Sequence, residues 1–320
     1  MRSGFAPIFA ILAVAAACRD QVNPGDISAK RQRPPPPPPP VLDPSFPTFT
    51  RDGLLSPVRA VATDKGWLLV TDARLRMITR VDPVSLLPDQ AFRVPSAPSA
   101  VGLLGGKVLV GNPGRQTVDL YTAQGGTSVG SVGPGMVGYA SDIATDAARG
   151  LAFVLDQQAR QVKVFDGDGA LLGLIGGAGT GTTQLVTPVG VALDTLRQEV
   201  LVSDYGTPPT VMASVKIYAY DGTYLDQISG AGRCGMLGCS GGFSRPQGLA
   251  VSGLGRVFLA DALLGQVLVY DRGTKALLRT LGGYPTLYGP SDIVIGRSDD
   301  VFVVSNLTAA VVAFRGEAAR

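Results

Sequence analysis

The chain has 320 residues, among them 42 Gly, 24 Pro, 3 Cys and no His, with 28 Lys and Arg against 25 Asp and Glu. Without histidine there is no Ser-His-Asp or Cys-His pair, no imidazole metal ligand and no imidazole proton shuttle, so any chemistry must come from carboxylates, Lys, Tyr or metal-bound oxygen. At 45% hydrophobic and 17% charged, the chain is long enough to bury a large core.

The N-terminus predicts an export signal over residues 1–17: Arg2 precedes an apolar stretch of 13 residues, from Phe5 to Ala17. That length is too short to span a bilayer as a helix. Cys18 follows Ala15, Ala16 and Ala17, and the segment resembles a bacterial lipoprotein signal, which implies lipidation of Cys18. Such signals usually carry Leu where this chain has Ala15, and an Ala-x-Ala site for the ordinary signal peptidase also fits. Arg19, rather than Asp, after the cysteine leans toward the outer membrane. Residues 18–44 read as a linker: Lys30, Arg31 and Arg33 precede seven prolines, Pro34 to Pro40. A run of prolines adopts polyproline II, and at ~3.1 Å per residue it makes a semi-rigid spacer of about 22 Å.

From residue 45 to 320 the chain is one repeated unit. Each unit opens with a turn residue and an apolar run, at residues 57–62, 98–103, 140–145, 188–193, 246–251 and 290–295. A second run ends on Asp72, Asn112, Asp156, Asp204, Asp261 and Asn306, at spacings of 40, 44, 48, 57 and 45 residues. A third run is under way at Ile78, Val118, Val162, Val267 and Val312, and is delayed to Val215 in the fourth unit. Fourth runs follow the turns Asp168-Gly169, Asp221-Gly222 and Arg272-Gly273. Short Val/Leu/Ile/Phe/Tyr runs bounded by Gly, Pro, Asp and Asn are strands. Six units of four strands predict an all-β, six-bladed β-propeller. The last unit has only three strands of its own, so a strand within residues 47–51, near Pro47 and Arg51, is expected to supply the fourth and close the ring.

Two units carry a resemblance most clearly: Pro188-Val189-Gly190-Val191-Ala192-Leu193-Asp194 with Val200-Leu201-Val202-Ser203-Asp204, and Pro246-Gln247-Gly248-Leu249-Ala250-Val251 with Val257-Phe258-Leu259-Ala260-Asp261. Residues 45–320 thus resemble the NHL-repeat propellers. That family usually places Asn three and Arg five residues after the Asp, where this chain has Leu75 and Met77, Arg115 and Thr117, Ala159 and Gln161, and Leu264 and Gln266. The resemblance implies a binding platform, an RNA-binding platform or an enzyme of a related propeller. Residues 45–320 carry 23 Lys and Arg against 22 Asp and Glu, which with export argues against nucleic acid. The amidating lyases of the family use histidines, which are absent. What remains is a module that binds protein, peptide or cell-wall glycan, or a lactonase-like hydrolase holding a divalent cation such as calcium.

Four readings place sites. Loops after second and fourth strands share one face, so the long connections over residues 176–186, 205–213 and 232–242 gather on one rim, with Tyr205, Arg233, Met236, Leu237, Phe243 and Arg245 as its anchors and Arg59 assigned to the ligand face as well. In the register where Ala100, Gly190 and Gly248 keep the channel mouth narrow, the other units carry Arg59, Asp142 and Asp292. Arg59 with the two carboxylates reads as a structural ion pair; alternatively Asp142 and Asp292 are the oxygen ligands and catalytic carboxylates of the hydrolase reading. The repeated Asp or Asn after the second strand should serve the blade by bonding turn backbone through its side-chain oxygen. Cys234 and Cys239 are expected to form a small disulfide if the protein is exported, worth only ~2 kcal/mol for so short a loop.

Overall fold

The computed structural model describes residues 48–49, 53–123, 126–231, 233–235, 238–240 and 242–319, with 48–49, 233–235 and 238–240 described by their backbone. The expected signal, Cys18 and the proline linker lie outside the described residues, as do Met236 and Leu237. The rest is six antiparallel sheets of four strands each, plus one two-stranded hairpin. Their inner strands are Pro57–Ala62, Ala100–Leu104, Ala140–Asp146, Pro188–Asp194, Pro246–Val251 and Pro290–Ile295. Each packs beside the next, and the sixth beside the first, so the ring closes around a channel.

The strand runs are apolar because of how blades stack. A second strand such as Glu199–Asp204 is buried along its whole length, since its two faces meet two different neighbours. Val200 and Val202 pack toward the third blade with Phe153 and Leu155, whereas Leu201 packs toward the fifth with Leu259 and Leu268. Among the described residues the buried apolar side chains form six such clusters, one between each pair of adjacent blades. Outer strands, by contrast, are wet on one side: Leu171, Leu172 and Leu174 of Leu171–Ile175 are all exposed.

The sixth blade completes itself from the other end of the domain. Thr48–Phe49 pairs antiparallel with Ala310–Phe314, Thr48 opposite Ala313 and Phe49 opposite Val312. Its sheet therefore runs from the N-terminal strand through the last, second and first strands of the sixth unit. This is the closure expected from residues 47–51, and it covers an edge that would otherwise offer unpaired backbone groups.

The strand directions set two faces. Turns between second and third strands, and connections from one blade to the next, open on one face, here the upper face. The two other sets of turns open on the lower face.

Candidate functional site

The upper end of the channel is closed by one side chain. Arg59, from the inner strand of blade 1, is 4% exposed. Its Nε donates to Ser141 O at 3.0 Å, Nη1 to Ser291 O at 2.8 Å, and Nη2 to Val189 O at 2.5 Å. One guanidinium therefore bonds the inner strands of blades 3, 6 and 4. Its fork of donors is suited to this, because a buried guanidinium needs most of its five N–H groups occupied. The same group lies 3.7 Å from Asp142 Oδ1 and 3.4 Å from Asp292 Oδ1.

The two carboxylates also join neighbouring blades. Asp142 Oδ2 accepts the Val191 N–H at 2.9 Å, from blade 3 to blade 4. Asp292 Oδ2 accepts the Ala60 N–H at 2.8 Å, from blade 6 to blade 1. Hydroxyls repeat the pattern, with Ser99 donating to Ala140 O and Ser203 to Gln247 O at 2.5 Å each. Gly248 has room for nothing more: a Cβ there would collide with Asp292 Oδ1 and come within 2.6 Å of its Cα. At Gly190 it would come within 2.6 Å of Gln247 O.

Charge in the cluster is unbalanced, one guanidinium against two carboxylates. Burial pushes the Asp292 carboxyl up to about 7, with Arg59 opposing and Asp142 adding to the shift. Burial likewise raises Asp142, against the pull of Arg59. The positive guanidinium stands where a cation shared by the two carboxylates would stand. Among the described residues no group of three or more His, Cys, Asp or Glu is placed to hold a metal ion. The donor set does not fit the divalent cation of the hydrolase alternative. Beneath this plug the channel is open to the lower face as a cavity of about 290 Å³, walled mainly by Ala, Val, Leu and Ile of the inner strands.

The rim of the upper face carries a second cavity, of about 620 Å³, between blades 4 and 5. Its first wall is the 205–213 connection, which supplies Tyr205, Pro208 and Met212. That connection folds onto itself through Thr207 N–H to Val211 O at 2.9 Å and Val211 N–H to Thr207 O at 3.2 Å. Gly206 sits at φ +69°, where a Cβ would strike Val211 O, so only glycine fits this tight reversal. The second wall is the neck of the cysteine loop, where Gly230 N–H bonds Ala213 O at 2.7 Å and Phe243 N–H bonds Gly230 O at 3.0 Å. Leu263 and Leu264, from the second turn of blade 5, complete it. The size falls within the range of ligand clefts.

Expected anchors divide accordingly. Tyr205 and Arg245 are exposed at this cavity. Phe243 lines it but is 2% exposed and packs edge-on against Tyr270, so it is a wall and not a free anchor. Arg59 is away from the rim, in the channel, where its ion pairs are the structural arrangement expected as one of two readings. Arg233 lies on a strand of the cysteine loop, a hairpin of Arg233–Gly235 and Gly238–Ser240 that the sequence presents only as a loop. Its register sets Cys234 directly opposite Cys239. The 176–186 connection is pinned down rather than free: buried Lys216 donates to Gly181 O and Gln184 O, and Tyr218 Oη to Thr183 O at 3.0 Å.

The recurrent residue after each second strand does serve its blade. Asp261 Oδ2 accepts the N–H groups of Ser244 and Arg245 at 2.6 and 3.0 Å, and Oδ1 those of Leu263 and Leu264 at 2.9 Å each. Asp72, Asp156 and Asp204 bind both the incoming connection and their own turn in the same way. The two asparagines also use their amide nitrogen: Asn112 donates to Asp119 while its Oδ1 accepts the Ser96 hydroxyl from the incoming connection, and Asn306 donates to Pro57 O, which ties blade 6 to blade 1.

Fold and site together define a six-bladed β-propeller with a plugged channel and a cleft on its rim. The chain is similar in structure to hydrazine synthase from Kuenenia stuttgartiensis, with a TM-score of 0.60 at 14% identity over 83% of this chain and 97% of that one, a likeness of fold alone. In sequence, no family profile and no curated protein matches it.

Proposed function

We propose that this protein is a cell-envelope β-propeller of the NHL kind, tethered to the membrane through lipidated Cys18 and the proline spacer, and that it acts as a non-catalytic binding module whose partners dock on the upper rim. The observation that carries this reading is the cleft between blades 4 and 5, built by the longest blade-to-blade connection and the longest turn between a second and a third strand. Extra chain length in a repeat fold that returns its ends to the same place is spent on the loops, and here those loops enclose a shaped space lined by Tyr205, Met212, Leu263 and Leu264. The backbone register of Cys234 and Cys239 supports a disulfide that stiffens one wall. The plugged channel supports a binding rather than a hydrolytic role, because its two carboxylates are committed to holding blades together.

The test is site-specific photo-crosslinking of the full chain in its host cell. A crosslinking side chain at Met212 or Leu263 should give a discrete adduct that the same group at Leu196, on the lower face, does not give, and Tyr205→Ala with Leu264→Ser should abolish it. Equal labelling from both faces, or none from the rim, would overturn the reading.

A further inference from the structure

The near-zero net charge of the propeller conceals a separation of charge between its two faces. Among the described residues of the upper-face turns and connections, every exposed charged side chain is an arginine: Arg74, Arg76, Arg115, Arg160 and Arg245. The carboxylates of that face, Asp72, Asp156, Asp204 and Asp261, are at most 1% exposed and are spent on backbone N–H groups. Exposed Asp64, Asp168, Asp221 and Asp299 all lie in lower-face turns, where they mix with Lys65, Lys107, Arg197 and Arg297. No exposed lysine is found among the described residues of the upper face, whose two lysine neighbours, Lys163 and Lys216, are turned inward onto loop carbonyls.

The upper face is itself divided. Four of the arginines stand on the turns of blades 1, 2 and 3. Large exposed apolar side chains stand on blades 4, 5 and 6: Tyr205 at 38% exposed, Met212, Leu263 at 68%, Leu264, Tyr284 at 82% and Leu307 at 77%. Met136 and Tyr139, on the connection into blade 3, carry some apolar surface into the arginine half. Arg245 lies at the rim cleft, within the apolar half. Arginine, tyrosine and methionine without lysine, aspartate or glutamate is the composition of the buried centre of protein interfaces. A polysaccharide would leave Leu263, Leu264 and Leu307 unused, whereas an acidic polypeptide with apolar side chains uses both halves.

We propose that the occupant of the upper face is an acidic protein segment, its carboxylates on the arginines of blades 1 to 3 and its apolar side chains in the blade 4–5 cleft and beyond. This rests on the binding-module reading above and names the partner's chemistry. Arginine suits the task because its planar fork grips carboxylates bidentately and remains charged at every physiological pH.

The probes are a glutamate–tyrosine copolymer, polyglutamate and a sulfated polysaccharide, each titrated against the full chain at low and high salt. The copolymer should bind at least about tenfold more tightly than either of the others, a difference of ~1.4 kcal/mol, and weaken as salt rises. Arg74→Gln, Arg76→Gln and Arg160→Gln combined should cost the copolymer about tenfold or more. Glutamine is tolerated there: Arg76 and Arg160 sit at φ +54°, and Gln116 occupies the same left-handed turn position in blade 2 at φ +55°. Unchanged melting of this variant checks the fold. Lys65→Gln with Lys107→Gln on the lower face should leave binding within about twofold.

Equal affinity for copolymer and polyglutamate, tightest binding of the polysaccharide, no binding to any probe, or equal effects of the two variant sets would each overturn the proposal. If the rim crosslink from Met212 persists in the triple-glutamine variant, the acidic class fails while the binding module stands. Absence of that crosslink in the wild type removes the module itself.

Discussion

Arg59 holds the channel in a way no other residue of the set could. It is fully enclosed, its three bonded carbonyls belong to three other blades, and it faces two carboxylates. Removing one member of a buried charged cluster strands the rest, so Arg59→Met should destabilise the domain by ~3–5 kcal/mol in urea titration. Arg59→Met with Asp142→Asn and Asp292→Asn removes the stranded charges, and this triple variant should recover part of that loss. Calcium added to the wild type should leave its melting temperature unchanged, since the guanidinium already fills the space between the carboxylates.

Burial of the Asp292 carboxyl makes stability depend on pH. Asp292 titrates at about 7 in the fold, well above an unfolded Asp near ~3.9. Between those values the folded state binds the extra proton, so this group's contribution is fully present below the unfolded value and is lost as pH rises through about 7. Wild type should therefore gain stability relative to Asp292→Asn on going from pH 8 to pH 5. A pH-independent difference between the two would contradict the assignment. Asp156 acts in the opposite sense: although burial opposes it, the Lys163 ammonium holds its carboxyl below the ordinary value, and that contribution is lost as pH falls through the acidic range.

At the scale of elements, the repeat works because each blade is locked by a carboxylate or amide at the end of its second strand, and the carboxylates reach two segments at once. Asp261→Ala would leave four backbone donors without their acceptor, and a loss of ~2–4 kcal/mol by chemical denaturation is expected. Gly248→Ala should cost ~1–3 kcal/mol through the clash with Asp292. Strand positions were legible in the sequence because every second strand is sandwiched between two apolar neighbours and so reads as an unbroken Val/Leu/Ile/Phe run, as at Val200, Leu201 and Val202. Outer strands were harder to see: Ser128–Val132, with Ser128, Gly130 and Ser131, and Pro88–Arg93, with Asp89 and Gln90, face water and carry no such pattern. The hairpin around Cys234 and Cys239 was illegible for a related reason, since a glycine-rich stretch has no alternation to fix its register.

At the scale of the molecule, site legibility followed the same line. The shared rim of the 205–213 and 232–242 connections follows from strand parity alone, and Tyr205 and Arg245 are where parity puts them. The burial of Phe243 does not, because an aromatic residue in a loop reads alike whether it caps a core or faces a partner. Net charge concealed the arginine face entirely, for a sum over residues says nothing of which strand ends they occupy. Ring closure makes a global prediction. A chain beginning after Phe49 should melt several degrees lower and associate with increasing concentration, because the edge of Ala310–Phe314 is then bare.

The two ends of the propeller are fastened unequally, and this matters under load. Among the described residues the N-terminal strand is held by two residue pairs, Thr48 with Ala313 and Phe49 with Val312. The C-terminal end is held by a five-residue strand paired on both sides and by Ala318, which is buried and donates its N–H to Asp299 O at 2.7 Å. A pull transmitted along the segment before Thr48 is therefore met first by this clasp on the edge of Ala310–Phe314. The short clasp would peel first and act as a mechanical fuse, absorbing extension while the five other blades, their interfaces and the upper face remain assembled.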